Sequence, residues 1–555
     1  MKTEATTAGD ASTSEANLRP AEPFPSNPRT SAVPSASAVH ATSLAAKSTT
    51  DERSTRVVKR DVLTWECIDL SESLDLRHGV RHGVSSVFVG IVGDAGNTEW
   101  LSTNDDRFLN RFRALCYQRL GRGPTDAVIG EVVANINARG YGLPQEPITR
   151  RVLAAQGKVW VFLGPDSPDI VEIGPGGWSI TTKAPGLFLP PDNAATMPLP
   201  TRGGSVDDLR RMFPNVDDDG WRATVGFVIS TYLPHGPLPV LSLNGPQNCG
   251  KSMTTQTIRW LCDPLIGVDA RGEMPKKAED LFTIADQAHT LTFDNLSGLP
   301  LEMSDALCRV TTGGARQCRR LYRQGVLNTL RARNPVIVNG ITPGVEREDL
   351  VSRCVFVELR AIEEKDRLKE AELERMLRNA LPGALGAIFD GVALALQHHT
   401  ATTVRPCHRL EDAACFVTAA EPALGYHDGS IVSAWLASQQ AVHDKLTSAD
   451  PVVEVLDRVL GRNLQWQGTA SKLVQDALSL ETDDGPRLPS DFPKTASRLG
   501  DYLRRRTEVL ARSGYTVKKS RTGDARILLI ERVPLLPKTA EVKVTRPGPV
   551  IGGVP

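Results

Sequence analysis

A glycine-rich segment, GPQNCGKS at residues 245–252, constrains this chain more than any other feature. It fits the pattern G-x-x-x-x-G-K-[ST], in which backbone amides surround phosphates, the lysine neutralises their charge and the serine reaches Mg²⁺. The apolar segment PVLSL precedes it and SMTTQTIRWL, typical of a helix, follows it. Because a phosphate-binding loop requires strand, loop and helix in that order, a turn that binds nothing is disfavoured. We therefore predict an ATP and Mg²⁺ site formed by Gly245, Pro246, Gln247, Asn248, Cys249, Gly250, Lys251 and Ser252.

Three later segments each place a polar residue beside an apolar strand. HTLTFDN ends in Asp294 and Asn295, NPVIVNG contains Asn339, and Arg353 precedes CVFVEL. An Asp at such a strand end holds the magnesium shell in proteins with this loop, so we predict that Asp294 and Ser252 bind Mg²⁺. We expect Asn339 to orient water and Arg353 to reach the nucleotide of a neighbouring subunit. The alternatives are a turn residue at Asn339 and an ordinary ion pair at Arg353.

Composition excludes several classes of protein. Lys plus Arg and Asp plus Glu both number 65, so any nucleic-acid contact must come from local patches and not from bulk charge. The nine cysteines show no CxxC pair and no zinc-type spacing, and we expect reduced thiols. No apolar run approaches the roughly 20 residues that span a bilayer, and no secretory signal is visible, so we expect a cytoplasmic protein without a membrane partner.

Changes in composition and in hydrophobic periodicity along the 555 residues predict a mixed α/β protein of several domains. The predicted segments are a disordered tail at 1–58, an N-terminal α/β domain at 59–198, a P-loop core with a helical connector at 199–362, a helical lid at 363–448, a winged-helix domain at 449–535 and a disordered tail at 536–555. The first part of the lid segment, 363–397, is interpreted as two or three helices.

Two clusters of basic residues predict contact with DNA. Seven arginines lie between Arg309 and Arg333 with no apparent compensating acid, which suits phosphate neutralisation. In the C-terminal domain, one predicted helix carries Lys494, Arg498, Arg504, Arg505, Arg506 and Arg512, and a hairpin turning at Thr522-Gly523 carries Lys518, Lys519, Arg521 and Arg526. A helix for a groove and a basic hairpin for phosphates is a DNA-reading arrangement. The alternatives are a solvated face, intersubunit ion pairs or a protein-docking module.

The order of these motifs resembles that of superfamily 3 helicases, the AAA+ motors of small DNA viruses, phages and plasmids. The resemblance is strongest over about 235–360, where Asn248 occupies the fourth loop position and SDALCRVTTGGARQCRRLYRQGVLNTLRARNPVIVNG is similar to the basic hairpin of that family. TTGG followed by Arg and LY is most similar to the primase-helicase branch. DNLSGLP, ALCR and TTGG also resemble bacterial ATP-binding proteins of mobile elements.

This resemblance implies an AAA+ core that couples ATP hydrolysis to movement on single-stranded or forked DNA, in replication of a phage, plasmid or integrated element. It places Arg316, Arg319, Arg320 and Arg323 on or near the DNA-facing hairpin. An arginine finger at Arg353 acting between subunits implies a homo-hexamer. Since no primase domain is recognisable, a separate primase or polymerase is a further expected partner.

One departure from the family pattern favours an alternative. The strand that ends in Asp294 is usually followed by a second acid, but Asn295 stands there and cannot act as a general base. Hydrolysis is then slow or uses another carboxylate, such as Asp305. The alternative function is a nucleotide switch that assembles on an origin with little or no hydrolysis. A small-molecule kinase is disfavoured because it would leave the basic clusters without a role.

Overall fold

The computed structural model describes residues 62–92, 96–267, 272–296, 298–319, 327–341, 345, 347–448, 450–481, 487–522, 525–533 and 541–546. The predicted tail at 1–58 lies outside these residues, as do Arg320, Arg323 and the turn residue Gly523. The backbone of Arg319 is described, but its side chain is not. Within the described chain, helices alternate with parallel and antiparallel sheets, which confirms the mixed α/β class.

The N-terminal region contains two sheets. Its elements are α1 (62–72), β1 (Asp75–Arg81), β2 (Val84–Val92), β3 (Thr98–Ser102), α2 (Asp106–Leu120), α3 (Asp126–Gly140), β4 (Gln145–Thr149), β5 (Val152–Ala155), β6 (Lys158–Phe162), β7 (Ile170–Gly174), β8 (Gly177–Thr181) and β9 (Leu187–Phe188). The first sheet has the order β3-β2-β1-β4-β9, and the second is the antiparallel meander β5-β6-β7-β8. Strands β5 and β6 are joined by a two-residue turn at Gln156-Gly157. Both residues have positive φ, 49° and 72°, as two-residue hairpin turns favour.

Helix α2 shows how local sequence sets these elements. Asp105 precedes it and accepts a hydrogen bond from the Arg107 amide, and Gly121 ends it with φ of 69°. The side chains of Phe108, Phe112 and Cys116 recur every four residues and are buried. This spacing covers one face of the first sheet with an apolar stripe.

The central region is built on a parallel four-stranded sheet with the order β11-β14-β10-β15. A 3-10 helix (Val206–Met212) and α4 (Asp218–Ser230) lead into it. Its elements are β10 (Val240–Asn244), α5 (Lys251–Trp260), α6 (Ala278–Gln287), β11 (Leu291–Phe293), α7 (Leu301–Thr312), β12 (Ala315–Arg319), β13 (Leu327–Arg331), β14 (Val336–Gly340), α8 (Glu348–Val351) and β15 (Cys354–Glu358). Strands β10 and β14 are buried throughout, as expected of a parallel sheet covered on both faces.

The predicted division of 363–397 into two or three helices is wrong. After a short 3-10 helix (Glu364–Asp366), a single helix, α9 (Glu370–His398), runs through Pro382. The segment Thr201–Gly204 packs directly on this stretch, and neither Gly386 of the helix nor Gly204 of the segment has room for a side chain. Glycine there permits close backbone approach, and this packing compensates for a proline inside the helix.

The remaining helical elements pack beside α9. They are a 3-10 helix (His399–Ala401), β16 (Thr403–Arg405), α10 (Glu411–Ala420), a 3-10 helix (Glu421–Leu424) and α11 (Ser430–Ser448). By length and composition, 370–401 is apolar enough to cross a membrane, contrary to the expectation from sequence that no such run exists. However, 61% of its most apolar window is buried inside the fold, as in a core helix.

The C-terminal region contains α12 (Pro451–Leu460), β17 (Gln465–Gly468), α13 (Ala470–Leu478), α14 (Ala496–Arg505), α15 (Thr507–Arg512), β18 (Tyr515–Thr522), β19 (Ala525–Arg532) and β20 (Lys543–Thr545). The single basic helix predicted there is wrong: the backbone leaves helical geometry at Arg506, so Arg512 lies on α15 and Lys494 precedes α14. Strand β17, which sequence reasoning missed, completes a three-stranded sheet β17-β19-β18.

The predicted disordered tail at 536–555 is wrong for Lys543–Thr545. This segment forms β20 and pairs with β16, more than a hundred residues earlier in the chain. Arg546 adds an ion pair to Asp428 at 3.0 Å. Such long-range pairing leaves no periodic signal in a three-residue strand.

A buried ion pair joins the N-terminal sheets to the central region. The Arg151 Nε lies 3.0 Å from Asp263 Oδ1, and the two side chains are 0% and 2% exposed. The other Arg151 nitrogens donate to four backbone carbonyls, and Asp263 accepts from the amides of His289 and Thr290. Burial raises the pKa of Asp263, but the charges of Arg151 and Arg259 outweigh it and hold the pKa below its ordinary value.

We predict that Arg151→Met lowers the free energy of unfolding by about 3–5 kcal/mol, because it leaves Asp263 buried without its main counterion. The measurement is thermal and urea unfolding beside Arg107→Met. Arg107 pairs with Asp105 at 3.0 Å on the surface, with 53% of its side chain exposed. That control should cost no more than about 1 kcal/mol. Equal losses of unfolding free energy in both variants would contradict a special role for the buried pair.

The same ion pair predicts that part of the free energy of unfolding is lost in acid. Since the pKa of Asp263 is lower in the folded than in the unfolded chain, its stabilisation is complete above the unfolded value of about 3.9 and is lost as the pH falls through the folded value. Arg151→Met should therefore show a smaller loss of stability below about pH 4 than the unaltered protein.

Candidate functional site

Loop 245–252 connects β10 to α5 at the carboxyl edge of the parallel sheet. Asn248 and Gly250 adopt left-handed backbone, with φ of 62° and 78°. Such residues turn successive amides toward one side of a loop and form an anion-binding concavity. A side chain at Gly245 would lie 2.5 Å from the Leu359 carbonyl and 2.8 Å from Cys249 Sγ, so only glycine fits there. The loop geometry therefore suits a phosphate group.

Lys251 begins helix α5 and holds the loop closed on itself. Its Nζ donates to the carbonyls of Gly245 at 3.0 Å and Pro246 at 2.7 Å. The ammonium group and the positive end of α5 thus lie at the same place. Both favour a negatively charged group at the mouth of the loop.

Ser252 and Asp294 are brought together from 42 residues apart in sequence. The Ser252 Oγ donates to Asp294 Oδ2 at 3.2 Å. A hydroxyl and a carboxylate are the hard oxygen ligands that Mg²⁺ prefers, and Mg²⁺ usually completes its shell with waters and substrate phosphates. Within the described part of the chain, no three His, Cys, Asp or Glu side chains could hold a metal by themselves. The two predicted residues fit Mg²⁺ that is shared with a phosphate.

Asn339 lies within β14 and is 1% exposed. Its Oδ1 accepts from the Asn295 amide at 3.0 Å, and its Nδ2 donates to Thr255 Oγ1 at 3.2 Å. The Asn295 amide also contacts Asp294 Oδ1 at 2.9 Å, and Asn295 has left-handed backbone with φ of 57°. Asn339 therefore fixes the turn that carries Asp294 and ties it to α5. Orientation of a water by Asn339 stays a prediction.

Sequence reasoning missed Asn215, which precedes α4. Its buried Nδ2 donates to the Cys249 carbonyl inside loop 245–252 at 2.6 Å, and its own carbonyl accepts from the Arg360 amide at 2.9 Å. The Arg360 guanidinium, 72% exposed, pairs with Asp217 at 3.1 Å. A lone polar residue in the stretch FPNV was the available signal. Its role depends on a contact 34 residues away.

Arg353, the predicted arginine finger, forms an ion pair within its own chain, and its contact with a neighbouring subunit's nucleotide stays a prediction. Arg353 pairs with Asp349 of the same chain at 2.6 Å and is only 14% exposed, and Asp349 also pairs with Arg409 at 2.9 Å. The ordinary ion pair, named above as the alternative, is what the fold contains. Asp305, the alternative carboxylate, pairs with Arg347.

The predicted hairpin between β11 and β14 is confirmed as the antiparallel pair β12–β13. The prediction that these arginines have no compensating acid is wrong for Arg316. This residue pairs with Glu279 at 2.8 Å and lies 3.9 Å from Glu302. Arg309 donates to the Ala315 carbonyl, and Arg333 donates to two carbonyls near the start of β10. The cluster is therefore partly structural.

The C-terminal basic residues divide into two groups. Arg504 pairs with Asp501 at 2.8 Å, and Lys518 pairs with Glu531 at 2.7 Å. Six others are exposed and have no ion pair within the described residues: Lys494, Arg498, Arg505, Lys519, Arg521 and Arg526. Lys519 and Arg521 project from the same face of β18 because side chains alternate along a strand. These six side chains are free to meet an external anion.

Among solved structures, the chain is similar to the apo C-terminal region of NrS-1 and to JCV helicase. The NrS-1 region is 9% identical, with 84% of this chain and 97% of that chain covered at a TM-score of 0.41. JCV helicase is 14% identical, with 38% of this chain and 61% of that chain covered at a TM-score of 0.21. TM-scores this low do not establish a shared fold. No curated protein matches this chain significantly in sequence.

Two family models match consecutive parts of the chain. The model for the actinomycete integrative conjugative element replication protein matches residues 206–444, which contain loop 245–252, Asp294 and Asn339. The model for the C-terminal domain of the same replication protein, AICE RepA, matches residues 449–541. Together the matches extend over more than half of the chain. The chain therefore belongs to the family of actinomycete integrative conjugative element replication proteins.

Proposed function

We propose that this replication protein is an ATP-dependent DNA motor of the superfamily 3 helicase type. The observation that carries the proposal is the pairing of Ser252 with Asp294 at 3.2 Å beside loop 245–252. Strand order β11-β14-β10-β15 and the hairpin between β11 and β14 support an AAA+ core. The family match supports a role in replication of an integrated element.

Each residue of the site has a distinct part in this proposal. The loop amides and Lys251 bind the phosphates of ATP, and Ser252 and Asp294 hold Mg²⁺. The metal ion would neutralise charge on the transferred phosphate. Asn339 keeps Asp294 in place through the Asn295 amide, and Asn215 keeps the loop in its anion-binding shape. Asn215 and Asn339 are thus positioning residues.

Contact with single-stranded or forked DNA is assigned to two surfaces. The first is the hairpin β12–β13 with its arginines. The second is the C-terminal region, where α13, α14 and the hairpin β18–β19 support a winged-helix domain. Arg505, Lys519 and Arg521 are among its exposed cations without an ion pair. The resemblance to superfamily 3 helicases supports a homo-hexamer and a separate primase or polymerase as partners.

A second candidate function, a nucleotide switch with little hydrolysis, is favoured by Asn295. The backbone amide of this residue is held by both Asp294 and Asn339, so Asn295 is fixed directly beside the proposed metal ligand. An amide there cannot take a proton from water. In this case ATP binding would control assembly on DNA without driving movement.

We predict that Lys251→Ala lowers DNA-stimulated ATP turnover by about 10²–10³-fold, because it removes a cation aimed at developing phosphate charge. The measurement is ATP hydrolysis with and without forked DNA at two salt concentrations. Lys183→Ala, an exposed lysine of the N-terminal region, is the matched control and should leave turnover unchanged. If the unaltered protein binds ATP but shows no ATP turnover with any DNA, the proposal of a DNA motor is wrong and the nucleotide switch replaces it.

We predict that Asn215→Ala weakens ATP binding by about fivefold to tenfold, since one buried hydrogen bond to the loop is worth about 1 kcal/mol. Isothermal titration with a slowly hydrolysed ATP analogue measures the effect. The control is Asn110→Ala on the surface of α2. Unchanged affinity in Asn215→Ala would show that the Cys249 carbonyl contact does not shape the loop.

We predict that replacing Arg505, Lys519 and Arg521 by alanine weakens DNA binding and lowers its salt dependence. The log–log slope should fall by about 0.9 for each duplex phosphate that the variant no longer neutralises. The control is the double variant Arg504→Ala/Lys518→Ala, which removes cations already paired with Asp501 and Glu531. Fluorescence anisotropy at several salt concentrations compares them. A larger effect in the double variant would contradict the assignment of the free cations.

A further inference from the structure

A cavity of about 530 Å³ lies at the amino-terminal edge of the parallel sheet. Its lining includes His289, which precedes β11, Asn334, which precedes β14, and Pro234, which precedes β10. Loop 245–252 lies at the opposite edge, after β10. Because β10 is five residues long, the two edges are roughly 16 Å apart. This amino-edge cavity is therefore separate from the proposed nucleotide site.

The walls of the amino-edge cavity come from two parts of the fold. One wall is the base of the hairpin β12–β13, with Gly313 on one side and Arg331 on the other. The facing wall comes from the first N-terminal sheet, through Arg81 and His82 at the β1–β2 turn and Arg150 after β4. The cavity thus opens beside the hairpin to which DNA contact is assigned.

The charge of this lining is strongly one-sided. Four arginines face the cavity, Arg81, Arg150, Arg331 and Arg333, and the lining that the structure describes contains no carboxylate. Asp286 lies behind it, 2.8 Å from Arg81 Nε and 3.7 Å from Arg150. One carboxylate therefore balances two of the four cations. The described residues offer no ion pair to Arg331 or Arg333.

Arg333 makes the imbalance costly. Its guanidinium donates to the carbonyls of Gly236 at 2.6 Å and Leu233 at 2.9 Å, and burial lowers its pKa to about 10. A buried charge without a counterion strongly destabilises a fold. An anion in the cavity would supply the counterion that Arg333 lacks.

We propose that the amino-edge cavity binds a backbone phosphate of the DNA strand that contacts the hairpin β12–β13. Guanidinium groups bind phosphate oxygens in a paired geometry, and four arginines line this one cavity. The exposed Arg331 lies at the base of the hairpin, so a strand on the hairpin reaches the mouth of the cavity. The inference rests on the proposed function for its ligand, and it adds a contact site distant from the nucleotide.

The test compares variants at the rim and in the interior of the cavity. Arg331→Glu reverses the exposed charge, Arg333→Gln removes the buried one, and Ala288→Phe fills the cavity without changing any charge. Arg378→Glu, an exposed arginine of α9, is the matched charge-reversal control. Thermal unfolding identifies any variant that fails to fold, and Ala288→Phe keeps the test decisive if Arg333→Gln is unstable.

Binding of a fluorescent oligothymidylate of about 15 nucleotides is measured by anisotropy at several salt concentrations. We expect Arg331→Glu and Ala288→Phe each to weaken binding by about tenfold, and Arg331→Glu to lower the salt slope by about one. ATP affinity should stay the same in both. If Arg333→Gln and Ala288→Phe both bind the oligothymidylate as tightly as Arg378→Glu does, the proposal is overturned. This holds even if Arg331→Glu binds it more weakly.

Two further outcomes distinguish other failures. Tripolyphosphate is titrated into Lys251→Ala, whose nucleotide loop is impaired. If Ala288→Phe in that background abolishes tripolyphosphate binding but leaves DNA binding intact, the cavity takes a free polyphosphate and the DNA assignment is overturned. If the unaltered protein binds no DNA at low salt, the proposed function itself fails.

Discussion

The buried contact between Arg151 and Asp263 is the interaction on which the arrangement of the described chain depends. Asp263 follows α5, the helix that begins in loop 245–252, and Arg151 lies between the two N-terminal sheets. The same carboxylate accepts from the amides just before β11, which carries Asp294 at its end. One charged group thus connects the N-terminal sheets, the phosphate loop and the strand of the proposed metal ligand. Removing either partner leaves a buried charge, so these parts are held together strongly.

The two edges of the parallel sheet carry different chemistry. The carboxyl edge presents loop amides, one lysine and a hydroxyl–carboxylate pair, which suits phosphate together with Mg²⁺. The amino edge presents four arginines and, in its described lining, no carboxylate, which suits an anion without a metal. The hairpin β12–β13 and strand β14 connect these edges, since β14 begins beside Arg333 and Asn334 and holds Asn339 near its end. A single strand therefore extends between the proposed nucleotide and DNA contacts.

Parts of the site were predictable because they are local. The loop pattern, the strand before it and the helix after it stand within about twenty consecutive residues, and the structure brings Ser252 and Asp294 into contact as predicted. The hairpin and the Gln156-Gly157 turn also follow from short-range pattern. The ion pair of Arg353, named as the alternative to its predicted role, depends on the neighbouring Asp349, which the distant Arg409 also binds. Asn215 and the residues of the amino-edge cavity were missed because their contacts join segments far apart in sequence.

The sequence by itself determined the α/β class, the phosphate-type loop and the strand ends that carry Asp294 and the nearby Asn339, because periodicity and turn chemistry act over a few residues. The tertiary structure decided which arginines are free and which are paired, whether Pro382 ends a helix, and that Lys543–Thr545 pairs with β16. These outcomes depend on packing and on charges that meet only after folding. A guanidinium at Arg316 or Arg333 looks the same in the sequence, yet Glu279 neutralises the first and no described carboxylate neutralises the second.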